Sequence, residues 1–309
     1  MRFTDTALAI GLVVATSLPL APAATAGMPV DIGRITATDY AAGVPATVTL
    51  DPATGSVTAT FARAAEDGVL SPKGTHVASV QRRDTCIPQD EGCMYARDLV
   101  VTTIDGGDRR VLVQGVQPED STAPYVGHPD WAPNGKHIAY DSPRGLEWTG
   151  TDGTGAEVLT AGSRGTFSPD SRNIAFLRTT SYETPGGTEH GTDLHILNLA
   201  TRQVRAITSD HQVWSAAADW SPDGRRLVHS TGRALRVSDV ASGTITELPT
   251  ALALDNLRDP VFSPDGHQIA FTALDETTGA SGIYVTDTDG NNLRKLIDSP
   301  VTVTDWVTG

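Results

Sequence analysis

Three sets of side chains in this sequence carry chemistry. Asp130, Asp219 and Asp305 each stand immediately before a tryptophan. Carboxylates recurring in one sequence context are candidates for a shared cation or proton site. Cys86 and Cys93 are the only cysteines, in the polar stretch RRDTCIPQDEGCMYARD. Two thiols with no histidine nearby supply too few ligands for zinc, so in an exported chain the expectation is a disulfide. Its loop of about eight residues would contribute about 2.5 kcal/mol. The eight histidines are dispersed. His76, His137 and His267 follow turns at equivalent positions and are expected to be solvated, and His190 and His195 lie at a spacing that matches no usual ligand pair. G-x-S-x-G, H-E-x-x-H, a phosphate-binding glycine loop and a dinucleotide-binding glycine run are all missing from the sequence.

The elements that hold these groups follow from an internal repeat. VLSPKGTHVASV, DWAPNGKHIAYD, TFSPDSRNIAFL, DWSPDGRRLVHS and VFSPDGHQIAFT begin at Val69, Asp130, Thr166, Asp219 and Val261. Each is a large apolar residue, a Pro-polar-Gly turn and a strand with apolar residues at alternate positions, which is a β-hairpin. A third and a fourth strand follow, as in LRVSDVASGTITEL and IYVTDTDGNNLRKLI, so each unit is a four-stranded propeller blade. DTDGNN, from Asp287, is expected to be a strand-to-strand turn and not a calcium loop, because the later glutamate is missing. With 30 Gly and 19 Pro in 309 residues, long helices are improbable.

The two ends of the chain complete the ring. TDWVTG at the C-terminus matches the start of a repeat and stops, and the segment beginning IGRITATDYAAGVPATVTL continues where it stops. The expected fold is therefore all-β, a six-bladed β-propeller closed by a C-terminal strand pairing with N-terminal strands. Asp130, Asp219 and Asp305 then fall on the innermost strands of blades 2, 4 and 6. At about 8 Å apart each pair repels by about 2 kcal/mol, so either a channel cation or raised pKa values compensate, or each carboxylate is turned onto backbone amides.

The repeat at Trp220 and Phe262, W/F-S-P-D-G-x-x-I/L-A/V, resembles the PD40 (WD40-like) repeat of the TolB-like six-bladed propellers. Lys73 and Asn134 replace the turn aspartate in two other repeats, and Ser171 replaces the glycine in a third. The resemblance implies a structural repeat that leaves function to the loops. Propellers of related appearance include peptidases, which need a hydrolase domain not seen here, and metal-assisted polysaccharide lyases.

Residues 1–26 read as a signal peptide, with an apolar run at Ala7–Leu18, prolines after it and ATA before Gly27, leaving 27–309 as the propeller. The expected location is secreted, periplasmic or on the exterior of the cell envelope, with no membrane span after cleavage and a monomeric state. A net charge of −14 repels nucleic acid. Long connections at 81–97, 114–129, 178–193, 209–215 and 249–258 are expected to leave one face of the ring. They carry Tyr95, Tyr125, His128, Tyr182, His190, His211 and Trp214 as candidate binding residues. The leading expectation is a non-catalytic module, needing no cofactor, that binds a protein, peptide or envelope component. The alternative is a propeller enzyme, such as a lyase, using the same face.

Overall fold

The computed structural model describes residues 33–89, 92–115, 126–214, 217–249 and 252–308. Within them, six four-stranded antiparallel sheets succeed one another along the chain. Blade 1 is β4 (Ala65–Leu70), β5 (His76–Gln89), β6 (Gly92–Thr103) and β7 (Arg110–Val113). Blade 2 is β8 (Gly127–Trp131), β9 (His137–Ser142), β10 (Gly145–Gly150) and β11 (Glu157–Thr160), and blade 3 is β12 (Ser163–Phe167), β13 (Asn173–Thr184), β14 (Gly187–Asn198) and β15 (Val204–Ala206). Blade 4 holds β16 (Asp219–Trp220), β17 (Arg226–Ser230), β18 (Leu235–Asp239) and β19 (Ile245–Glu247). Blade 5 holds β20 (Leu254–Phe262), β21 (Gln268–Asp275), β22 (Ser281–Asp287) and β23 (Arg294–Asp298). The sixth blade runs β24 (Val301–Val307), β1 (Arg34–Asp39), β2 (Ala46–Leu50) and β3 (Val57–Arg63). Its first two strands come from opposite ends of the chain, with Ile35 opposite Trp306 and Thr36 opposite Asp305.

The turn between the first two strands is built from its own side chains. In blades 3, 4 and 5 the serine hydroxyl donates to the aspartate two residues on, at 2.6 Å in each case (Ser168 to Asp170, Ser221 to Asp223, Ser263 to Asp265). The same hydroxyl accepts from the amide five residues on, at 2.9 Å. Proline presets the turn, and the cage satisfies amides that the strands cannot.

The core lies between blades. One cluster joins Leu194 and Ile196 of blade 3 to Trp220 and Leu227 of blade 4, and another joins Val261 and Ile283 of blade 5 to Ile35 and Trp306 of blade 6. A blade has two apolar faces, so it is stable only between two neighbours. Among the described residues no helix is long and apolar enough to cross a membrane.

The segments expected as loops at 81–97 and 178–193 are mostly strand. Thr179 pairs with Thr192, Ser181 with His190 and Tyr182 with Glu189, and β5 and β6 extend likewise. Polar alternation rich in threonine makes a ladder solvated on both faces, which resembles a loop when only apolar periodicity is followed.

Candidate functional site

Each innermost strand carries a marker residue at or next to its end: Leu70, Trp131, Phe167, Trp220, Phe262 or Trp306. Three positions earlier stand Asp67, His128, Arg164, Ala217, Asp259 and Val303. In four of the six blades this residue has a left-handed backbone, with φ of 51° at Asp67, 47° at His128, 55° at Arg164 and 50° at Asp259. The ladder breaks register at the same places. Each break is a β-bulge that re-aims one side chain. In blades 1 and 3 the next residue is glycine because a neighbouring side chain is close: a Cβ on Gly68 would come within 2.0 Å of Thr47 Oγ1, and one on Gly165 within 2.5 Å of Leu146 Cδ1.

The four re-aimed side chains meet at one mouth of the channel and are tied together. His128 Nδ1 donates to Asp141 Oδ2 at 2.9 Å, and the other oxygen of Asp141 accepts the Arg164 amide at 2.7 Å. Asp67 Oδ2 lies 3.7 Å from His128 Nε2. The Arg164 guanidinium reaches Asp259 at 3.5 Å, and Arg258 approaches the same carboxylate at 3.9 Å. Burial opposes charging of His128, but the Asp67 charge and the Asp141 hydrogen bond outweigh it and leave the imidazole pKa raised. Burial also raises Asp259, against the pull of Arg164 and His128. Asp141 is buried and serves to orient the ring above it.

Deeper in the same cavity lie Asp130, Asp219 and Asp305. They also line the funnel at the other end of the channel, of about 620 Å3, among marker aromatics and turn prolines. Each of these carboxylates is turned onto a backbone amide. Asp130 accepts the Phe167 amide at 2.7 Å and Asp219 the Phe262 amide at 2.8 Å, each from the following blade, while Asp305 accepts its neighbour Trp306 N–H at 2.7 Å. They nevertheless face the channel and one another. Burial, with mutual repulsion added for the first two, pushes Asp130 well up, Asp219 to about 7 and Asp305 to about 6. The tryptophans point backwards: Trp131 Nε1 donates to Val69 O of blade 1 at 3.2 Å, and Trp220 Nε1 to Thr166 O of blade 3 at 3.1 Å. In blades 2 and 4 the Asp-Trp pair therefore clips a blade to both neighbours. Among the described residues no three His, Cys, Asp or Glu side chains converge closely enough to hold a metal ion.

The candidates expected on one recognition face divide into three places. Tyr182 stacks on His211, with ring centroids 4.3 Å apart, and His190, His211 and Trp214 line one groove between blades 3 and 4. His128 belongs to the channel mouth, and Tyr95 lies under the Arg82 guanidinium on blade 1. Tyr125 lies outside the described residues, as do the side chains of Cys86 and Cys93, whose backbones sit opposite Tyr95 and Pro88. His137, expected to be solvated, stacks on Trp148 at 4.2 Å. Asp287 and Asp289 hold a tight turn, as expected of DTDGNN. Asp67, Asp141, Arg164 and Asp259 escaped the sequence reading. A signal for three of them was present in DGVL, HPDW, RGTF and DPVF, where a polar residue and then Gly or Pro precede the marker.

The ring of six blades defines the chain as a six-bladed β-propeller, similar in sequence repeat and fold to TolB. No family model matches it. It is similar to the Tol-Pal system protein TolB of Francisella tularensis subsp. holarctica (strain OSU18), 25% identical over 211 residues, which are 63% of this chain and 45% of that protein. The chain thus spans about half the length of the curated relatives it matches. The crystal structure of TolB from Acinetobacter baumannii superposes with a TM-score of 0.62 at 16% identity, covering 91% of this chain and 68% of that one. Oligogalacturonate lyase from Vibrio parahaemolyticus superposes with a TM-score of 0.53 at 13% identity, covering 79% and 72%, a likeness of fold alone.

Proposed function

We propose that this chain is an exported, envelope-associated propeller that binds a protein or peptide partner at the face where the charged channel mouth opens. The observation that carries the reading is the set of four left-handed residues, Asp67, His128, Arg164 and Asp259. A left-handed backbone costs a residue other than glycine about 1–2 kcal/mol. The fold does not demand it, because Ala217 and Val303 hold the same position in blades 4 and 6 without positive φ. Four strained residues aiming charge at one opening are what a recognition site requires. The similarity to a Tol-Pal system protein and the signal-like residues 1–26 support the envelope setting. The lyase reading has only the shared fold in its favour.

The test immobilises the wild-type protein and the double variant Asp67→Asn/Arg164→Gln and passes the producer's envelope fraction over both. The expected result is one protein retained by the wild type and held at least tenfold more weakly by the variant. Equal retention by both would remove the channel mouth from the interface, and no retained protein would remove the binding role.

A further inference from the structure

The groove between blades 3 and 4 is independent of the channel. Trp214 is 53% exposed, more than any other large apolar side chain among the described residues. Its position is nevertheless fixed. Its amide donates to Ser230 O at 2.7 Å, and its ring lies over Gly232, where a Cβ would come within 3.2 Å of the indole and φ is +84°. The Gly232 amide is itself held by Ser230 Oγ at 2.8 Å. The indole is thus a flat, preorganised platform open to solvent.

Its surroundings are polar. The His211 amide donates to Asp193 Oδ1 at 3.1 Å and its Nδ1 lies close to the same carboxylate, while Gln212, Thr231 and Glu247 add donors and acceptors to the groove. Arg236 is neutralised by Asp210 at 2.6 Å and Glu247 at 3.1 Å. Arg233, exposed on the same groove, has no acidic partner among the described residues.

A protein hot spot seats its aromatic in a desolvated, largely apolar pocket, and this groove of about 650 Å3 offers none. A pyranose has the opposite chemistry, one flat face of C–H groups inside a rim of hydroxyls that both donate and accept. The indole fits the first and the polar rim the second. The unpaired guanidinium adds a bidentate partner for a carboxylate. The net charge of −14 disfavours a long polyanion, but a single carboxylate in contact with Arg233 lies inside the screening length of about 8 Å. We infer that the Trp214 groove is a saccharide-binding site that takes a sugar unit bearing a carboxylate.

The test titrates the full chain with cellobiouronate, with cellobiose, which differs by that carboxylate, and with an acetylated Gly-Glu-Gly peptide. Binding is followed by calorimetry and by the indole N–H resonance of Trp214, identified by its loss in Trp214→Phe. Cellobiouronate is expected to shift that resonance and to bind about tenfold more tightly than cellobiose. Trp214→Ala should lose at least tenfold in affinity, and Arg233→Gln should erase the preference for the charged sugar. Asp67→Asn/Arg164→Gln should bind it as the wild type does, which separates this site from the channel reading. The proposal is overturned by no binding, by binding that leaves the Trp214 resonance unmoved, by an unchanged preference in Arg233→Gln, or by tighter binding of the peptide. The wild-type resonance and the surface variant Arg233→Gln decide the matter even if Trp214→Ala does not fold.

Discussion

Asp219 shows how one side chain serves structure and charge together. Its Oδ2 holds the Phe262 amide of the next blade, while burial and Asp305 push its pKa to about 7. A folded-state value above the ordinary one favours folding most at low pH, and that contribution is lost as pH rises from about 4 through 7. Asp219→Asn keeps a carbonyl oxygen for the Phe262 amide and removes the charge. It is therefore expected to be more stable than the wild type at pH 8, with the gap closing towards pH 4. The rise from the ordinary carboxyl value to about 7 sets a ceiling of about 4 kcal/mol. Because the side chain is only half-buried and faces an open channel, about 1–2 kcal/mol is expected. Thermal melts of both proteins at pH 4.5 and pH 8 check this, and an equal gap at the two values would mean that the carboxylate is not strained by charge. The Asp-Trp pairs were legible in the sequence as a repeated dipeptide. Their forward and backward hydrogen bonds were not, because both partners belong to other blades.

At the scale of the element, the turn cage and the bulge behave differently. Ser221 is buried, and its hydroxyl is the hub of the turn in blade 4, accepting from Arg226 N and donating to Asp223. Blade 2 has Ala132 at this place and keeps its turn without the hydroxyl, through Ala132 N to His137 O at 2.9 Å, Gly135 N to Ala132 O at 2.7 Å and Lys136 N to Asn134 Oδ1 at 2.9 Å. Ser221→Ala should therefore fold and lose about 1–2 kcal/mol, the cost of stranding one buried amide, read as a melting temperature lower by a few degrees. A loss above about 4 kcal/mol would show that the cage is needed to form the blade. The S-P-D-G turn was readable because all its partners lie within five residues. The bulges were not read, because a strand pattern records which residue is apolar and not where the ladder slips.

For the whole molecule, closure is the decisive contact. β24 pairs with β1, donates its Val303 amide to the Thr272 hydroxyl oxygen of blade 5 at 2.9 Å, and donates Thr304 Oγ1 to Gly68 O of blade 1 at 2.6 Å. Removing residues 302–309 takes away the innermost strand of blade 6 and uncovers Val261 and Ile283 together with Ile35. The expected outcome is loss of the cooperative melt and of soluble yield, measured by calorimetry and by expression level. A truncated protein that still melted in one sharp transition would mean that the blades are stable without a closed ring.

The number of blades, their order and the join between the chain ends could be read directly from the sequence, because each rests on local periodicity that repeats about every 47 residues. So could the aromatic and histidine positions on the long connections. Which of these share a site was decided by the tertiary structure: Tyr182, His190, His211 and Trp214 gather in one groove, while His128 joins Asp67, Arg164 and Asp259 at the channel. The physical reason is that a site at the axis of a ring draws one residue from each of several blades. Their convergence depends on blade packing, which leaves no periodic trace in the order of amino acids, and on a left-handed residue in each contributing strand, whose trace is a polar residue and then Gly or Pro ahead of the marker.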